Sequence, residues 1–169
     1  MKLKDITITE NKKEQKGTYA GVRFDAKTLN NIRDFTKKNN VPNVVPRKKI
    51  HTTLLYSRKY LPNYEAQGEI NPPMEGQPLK FEVWDSQPDD DGNVKKCLVL
   101  SYKCDELTKR HNFLMKEHKA TYDYDSYKPH ITFSYDVGDF DYKNLPAFTN
   151  PITIVSEYKE DLNLDWNKK

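Results

Sequence analysis

One arrangement constrains this chain more than any other. A strand, a helix and a further strand rich in β-branched residues can be traced once in each half. Thr18 to Phe24 alternates as a strand, with Tyr19, Gly21 and Arg23 on one face. Asp25 stands as a helix N-cap before the stripe Leu29, Ile32, Arg33 and Phe35, and the helix ends near Asn39 and Asn40. Val41 to Pro46 is extended, because each proline disfavours helix in the residue before it, and Lys49 to Ser57 follows as a strand. In the second half, Leu79 to Trp84 and Lys96 to Tyr102 make a hairpin about the Asp89 to Asn93 turn. Asp105 caps a helix predicted to reach Thr121, with Leu107, Leu114, Met115 and His118 on its inner side. Pro129 to Tyr135 and Pro151 to Ser156 are the remaining strands, and Pro62, Pro72, Pro73 and Pro78 mark a long connection between the halves. The pattern predicts an α+β protein with lobes built on antiparallel sheet.

Length and charge narrow the field. A chain of 169 residues suits one domain, with Met1 to Lys16 as a basic lead-in and residues 17–169 as the folded unit. Twenty-eight Lys and Arg against 25 Asp and Glu give a net charge of +3, too weak a field for a protein that coats duplex nucleic acid. The 12% aromatic content, with eleven Tyr, argues against disorder. The N-terminus has no apolar run behind its charges, and no stretch approaches the ~18 apolar residues of a membrane span. Cys97 and Cys104 are too few for a disulfide framework or a four-thiolate zinc site. A cytosolic protein with two reduced structural thiols is expected, Cys97 as a buried strand residue.

Two of the four histidines occupy matching contexts: His51 in Lys49-Ile50-His51-Thr52-Thr53-Leu54 and His130 in Lys128-Pro129-His130-Ile131-Thr132-Phe133. Each is His, any residue, Thr, then an apolar residue, within a predicted strand. Period-two geometry puts His51 beside Thr53 and His130 beside Thr132, each an imidazole and a hydroxyl aimed the same way. Breaking a phosphodiester without a metal needs a base for the nucleophile's proton and an acid for the leaving oxygen. Two imidazoles can supply one neutral and one protonated member near neutral pH. Charge growing on the phosphate oxygens calls for fixed donors, which Thr hydroxyls and nearby amides provide. No cofactor is expected, and no metal: Asp89-Asp90-Asp91 lies in a turn, and His111 and His118 are seven apart, not the four of a helical zinc pair.

The paired motifs resemble the 2H phosphoesterase superfamily. The runs Leu54 to Tyr64 (LLYSRKYLPNY) and Ala120 to Asp125 (ATYDYD), the latter leading into Pro129-His130-Ile131-Thr132, are similar to the T4-type phage anti-CBASS protein 1 family. The resemblance covers about Gly17 to Trp166, and the lysine-rich lead-in departs from it. It implies a pseudo-symmetric two-lobed fold with both histidines in a central cleft and no metal requirement. It also implies cleavage of the cyclic di- and trinucleotides that signal infection in bacterial CBASS immunity, in the cytoplasm of the infected host. By the same resemblance His51 and His130 are the acid–base pair, Thr53 and Thr132 the phosphate clamps, and Glu160 and Trp166 hold an adenine.

Nucleobases need flat partners, and Tyr19, Trp84 and Trp166 are the aromatic candidates beside the cleft. Tyr122, Tyr124 and Tyr127 precede His130 and could also shape the pocket, while Arg58, Lys59 and Lys128 could attract an anion. The same four His and Thr residues would serve a 2H enzyme acting on 2′,3′-cyclic RNA ends or 2′–5′ linkages. A nucleotide sponge without catalysis is the alternative of a different class, against which two intact His–Thr pairs weigh.

Overall fold

The computed structural model describes residues 16–164, so all of the predicted lead-in except Lys16, and the predicted base-holding Trp166, lie outside the described residues. Strand β1 spans Lys16–Phe24 and begins two residues before the alternation suggests. Helix α1 spans Ala26–Lys38. Asp25 accepts from the Thr28 amide at 2.8 Å at its start, and Asn40, with φ of 56°, turns the chain out of the helix at its end. A short 3-10 turn, Arg47–Lys49, precedes β2, Thr52–Ser57. His51 therefore sits immediately before its strand, not inside it, because the Arg47–Lys49 turn takes up the start of the predicted strand and the pairing with β1 reaches only as far as Thr52.

Strand β3, Gly68–Asp85, is where the structure departs furthest from the sequence expectation. Most of the proline-rich connection is strand. Its prolines lie where the ladder is interrupted: Pro72 and Pro73 fall in the register shift between Glu69 and Met74 against β6, and Pro78 at the shift between Pro78 and Lys80 against β4. A residue with no N–H is tolerated at such gaps and nowhere else in a central strand. Strand β4, Lys96–Lys103, follows. Helix α2, Asp105–Glu117, begins after Cys104 and stops short of Thr121, since Lys119 takes a φ of 54°. Strand β5 is His130–Ser134. Strand β6, Ile152–Asn163, runs on past Ser156, where the last strand is predicted to end, because Glu157 to Asn163 pairs along β1.

All six strands join in one antiparallel sheet in the order β2-β1-β6-β3-β4-β5. The long β3 hands over from β6 to β4, which lets the sheet turn far enough for its two edge strands, β2 and β5, to approach one another. The helices are exchanged between the halves. Phe35 of α1 stacks on Phe81 of β3, centroids 5.4 Å apart, and meets Phe133 of β5 edge-on at 6.2 Å. Such aromatic pairs add about 0.5–1.5 kcal/mol beyond burial. Helix α2 instead serves β2 and β6, through His111 to the Leu54 carbonyl and Arg110 to Glu157. One continuous apolar core results, including Val22, Leu54, Leu98, Leu107, Leu114 and Ile131. Among the described residues no helix is long and apolar enough to cross a membrane.

Candidate active site

Each motif turns its His and Thr to the face away from the core: Thr52 and Ile131 are buried, while His51, Thr53, His130 and Thr132 are half-exposed. Each strand also has one unpaired residue directly after its Thr. Opposite β1 the register passes from Thr53 to Leu55, and opposite β4 from Thr132 to Ser134, so Leu54 and Phe133 are extra residues. Bulges bend a strand and re-aim its side chains, and they recur beside active sites.

The edges are tied across the gap. Thr52 Oγ1 donates to the His130 carbonyl at 2.8 Å, and buried Tyr102 donates its hydroxyl to the same Thr52 oxygen at 2.8 Å. His51 and His130 thereby come close enough for one charge to act on the other. Their local settings match. His51 Nδ1 bonds the Lys49 carbonyl at 2.8 Å, and His130 Nδ1 bonds the Lys128 carbonyl at 3.0 Å, each two residues back. A carbonyl only accepts, so each Nδ1 carries the hydrogen, and Nε2 is left as the nitrogen that can exchange a proton.

Beyond the motifs, the halves differ. On the β1–β2–β6 side, the Tyr19 hydroxyl lies 3.0 Å from Thr53 Oγ1, and its ring meets His51 edge-on at 6.2 Å. Glu160 stands opposite Tyr19 on β6 and is exposed. Tyr158 crosses Gly21, where a Cβ would come within 2.5 Å of its hydroxyl oxygen, and Arg23 caps the Tyr158 ring at 4.5 Å. Burial pushes the Tyr19 hydroxyl far above its ordinary pKa, so it stays protonated. On the β3–β4–β5 side, Trp84 packs on His130 with centroids 4.4 Å apart, and its indole N–H points to Glu82 at 3.4 Å. Lys128 lies 3.6 Å from Glu82 and 5.8 Å from the Trp84 ring.

Burial under this cover lowers the His130 pKa. Nδ1 donation to Lys128 opposes that, the nearby His51 lowers it further, Glu82 raises it, and the Lys128 ammonium lowers it. Burial also acts to raise the Glu82 pKa, but the Trp84 indole and the Lys128 and Lys80 charges outweigh it and hold the carboxyl below its usual value.

Of the residues singled out from sequence, the structure brings Tyr19, His51 and Thr53 together on one side and Trp84 and His130 on the other, and places Glu160 across from Tyr19. Arg58 is engaged elsewhere, forked onto Asp123 at 3.0 Å through two nitrogens. Cys97 is half-buried, not buried, because it lies on the outward face beside Trp84. Among the described residues no group of three His, Cys, Asp or Glu side chains is arranged to hold a metal ion. Sequence reasoning missed Thr52, Tyr158 and Arg23. The one signal for Thr52 was a polar β-branched residue at a position that alternation turns toward the core.

Residues 16–169 match the family described as Anti-CBASS protein Acb1. The Anti-CBASS protein Acb1 of Salmonella phage S16 is 37% identical over 152 residues, 90% of this chain and 92% of that protein. That of Enterobacteria phage T4 is 37% identical over 150 residues, 89% and 91% of the two chains. That of Acinetobacter phage Ac42 is 36% identical over 166 residues, 98% and 99% of the two chains. The chain belongs to the Acb1 family of anti-CBASS proteins.

Proposed function

We propose that this protein is an anti-CBASS phosphodiesterase that opens the 3′–5′ linkages of cyclic di- and trinucleotide signals in the infected host's cytoplasm, without a metal. The observation that carries the proposal is the matched pair of imidazoles, each with Nδ1 committed to a carbonyl two residues back and Nε2 left for proton exchange. In this reading residues 17–169 form one 2H unit of two pseudo-symmetric lobes, each contributing a His–Thr pair.

His130, which burial keeps neutral at neutral pH, takes the proton from a ribose 2′-hydroxyl. The 2′-oxygen bonds to the adjacent 3′-phosphorus, and the bond from phosphorus to the 5′-oxygen breaks. His51 gives a proton to that leaving oxygen. The product carries a 2′,3′-cyclic phosphate, which water opens with the two roles reversed. Thr53 and Thr132 donate to the non-bridging oxygens as their charge grows. Tyr19 and Trp84 flank the bases, and Glu160 accepts from an adenine amine, with Trp166 stacking on it.

Incubation with 3′,3′-cyclic GMP–AMP in excess EDTA, followed by mass spectrometry, tests this. A linear dinucleotide ending in a 2′,3′-cyclic or terminal phosphate is expected, and a 2′–5′ linkage should resist. His51→Ala and His130→Ala should each lose about 10²–10⁴-fold in turnover while retaining ligand binding. An intact ring that stays tightly bound to the wild-type protein would identify a sponge. An intact ring without binding would point to RNA ends.

A further inference from the structure

The bulge in β2 leaves two successive carbonyls, of Thr53 and Leu54, that are met by side chains from outside the sheet. The Tyr127 hydroxyl donates to the Thr53 carbonyl at 2.7 Å, and His111 Nδ1 donates to the Leu54 carbonyl at 2.8 Å. The two rings stack on each other with centroids 4.2 Å apart and planes within 9°, and Tyr122 closes edge-on over His111 at 4.7 Å. One ring comes from α2 and the other from the segment leading into β5, so three parts of the chain converge on two consecutive peptide groups. Burial pushes the His111 pKa down, which keeps its imidazole neutral.

The bulge in β5 is handled differently. There the Phe133 carbonyl accepts from the Val45 backbone amide at 2.9 Å. Main chain meets the extra residue in one motif, and a stacked side-chain pair meets it in the other. Two side chains outside the proposed acid–base pair thus meet the backbone on either side of the Thr53–Leu54 peptide.

We infer that Tyr127 and His111 are positioning residues. Together they clamp the Thr53–Leu54 bulge and so hold the Thr53 hydroxyl, 3.0 Å from Tyr19, in the direction that receives a phosphate oxygen. The inference rests on the proposed role of Thr53 as a phosphate clamp. Neither ring has to touch substrate for it to hold.

The test is a double-mutant cycle with 3′,3′-cyclic GMP–AMP as substrate. Tyr127→Phe keeps the stacked ring and removes the donor. It should lower kcat about tenfold with KM changed by less than about twofold, the size expected when one hydrogen bond to the clamp is lost. In a Thr53→Val background the same change should cost nothing further, since the hydroxyl it aims is gone. His111→Asn, which retains a donor toward Leu54, should keep more activity than His111→Phe, which retains only the ring. Wild-type turnover by Tyr127→Phe, or an equal loss in both backgrounds, overturns the inference.

A crystal structure of Tyr127→Phe decides the point without reference to turnover. Separation of Thr53 Oγ1 from the Tyr19 hydroxyl beyond about 3.5 Å supports the clamp, and an unmoved Thr53 removes it. A wild-type protein that leaves the ring intact would defeat the phosphodiesterase proposal alone, and the crystal structure would still decide the clamp.

Discussion

Thr52 Oγ1 donates to the His130 carbonyl at 2.8 Å, so the middle residue of one His-x-Thr motif holds the first residue of the other. The two residues are 78 apart in the chain and belong to opposite edges of the sheet. Tyr102, fully buried, completes the chain by donating to Thr52. The separation of the two imidazoles is thereby set by hydrogen bonds inside the core, below the face that carries them.

Thr52→Val keeps the shape and removes the hydroxyl. It leaves a buried Tyr102 hydroxyl without its acceptor, a desolvation penalty of about 1–3 kcal/mol. Urea unfolding should show that loss, and kcat should fall because the edges are no longer pinned. Thr52→Val with unchanged stability and turnover would show that the tie does not set the site.

With His130 as the base of the proposed reaction, the acid limb of kcat/KM should lie below pH 6.5, the ordinary histidine value, because burial lowers its pKa and a base must be neutral to act. The sign follows directly: activity is present above the lowered pKa and is lost as pH falls through it. Glu82, Lys128, His51 and the Trp84 ring are the groups that face this imidazole. Trp84→Ala admits water to His130 and should move the limb up toward about 6.5. A pH–rate series on both proteins checks this, and a limb that stays in place denies the role of Trp84 as cover.

Arg110 and Glu157 form the most deeply buried ion pair described. The nitrogen–oxygen distance is 2.9 Å, and the side chains are 15% and 0% exposed. Tyr64 and the Gln67 amide complete the carboxylate's partners at 2.7 and 3.0 Å. Arg110→Ala strands the buried charge and should cost about 3–5 kcal/mol by denaturant titration. Arg110 also fastens α2 to β6, so hydrogen exchange in α2 should rise in the same variant. A loss under about 1 kcal/mol would place the pair among weak surface contacts.

Much of this protein was legible in its residues. The alternation of β1, the Asp25 cap and the stripe through Phe35 are local signals, and local signals survive folding because they depend on neighbours in the chain. The two His-x-Thr pairs were likewise readable, since period two alone puts each imidazole beside its hydroxyl. The proline-rich stretch misled: Pro72, Pro73 and Pro78 argue against a central strand unless the ladder skips there, and only the pairing of β3 with both β6 and β4 shows that it does.

Residue types and their spacing establish which groups are available: two imidazoles, two hydroxyls and flat rings. Tertiary structure decided what those groups can do together. It curled one sheet until its edges met, fixed both Nδ1 tautomers through backbone carbonyls, and tied Thr52 to His130 across 78 residues. The reason is physical. Which side of a strand a residue faces depends on the backbone repeat, but which group it meets depends on a register and a closure that only the packed core imposes.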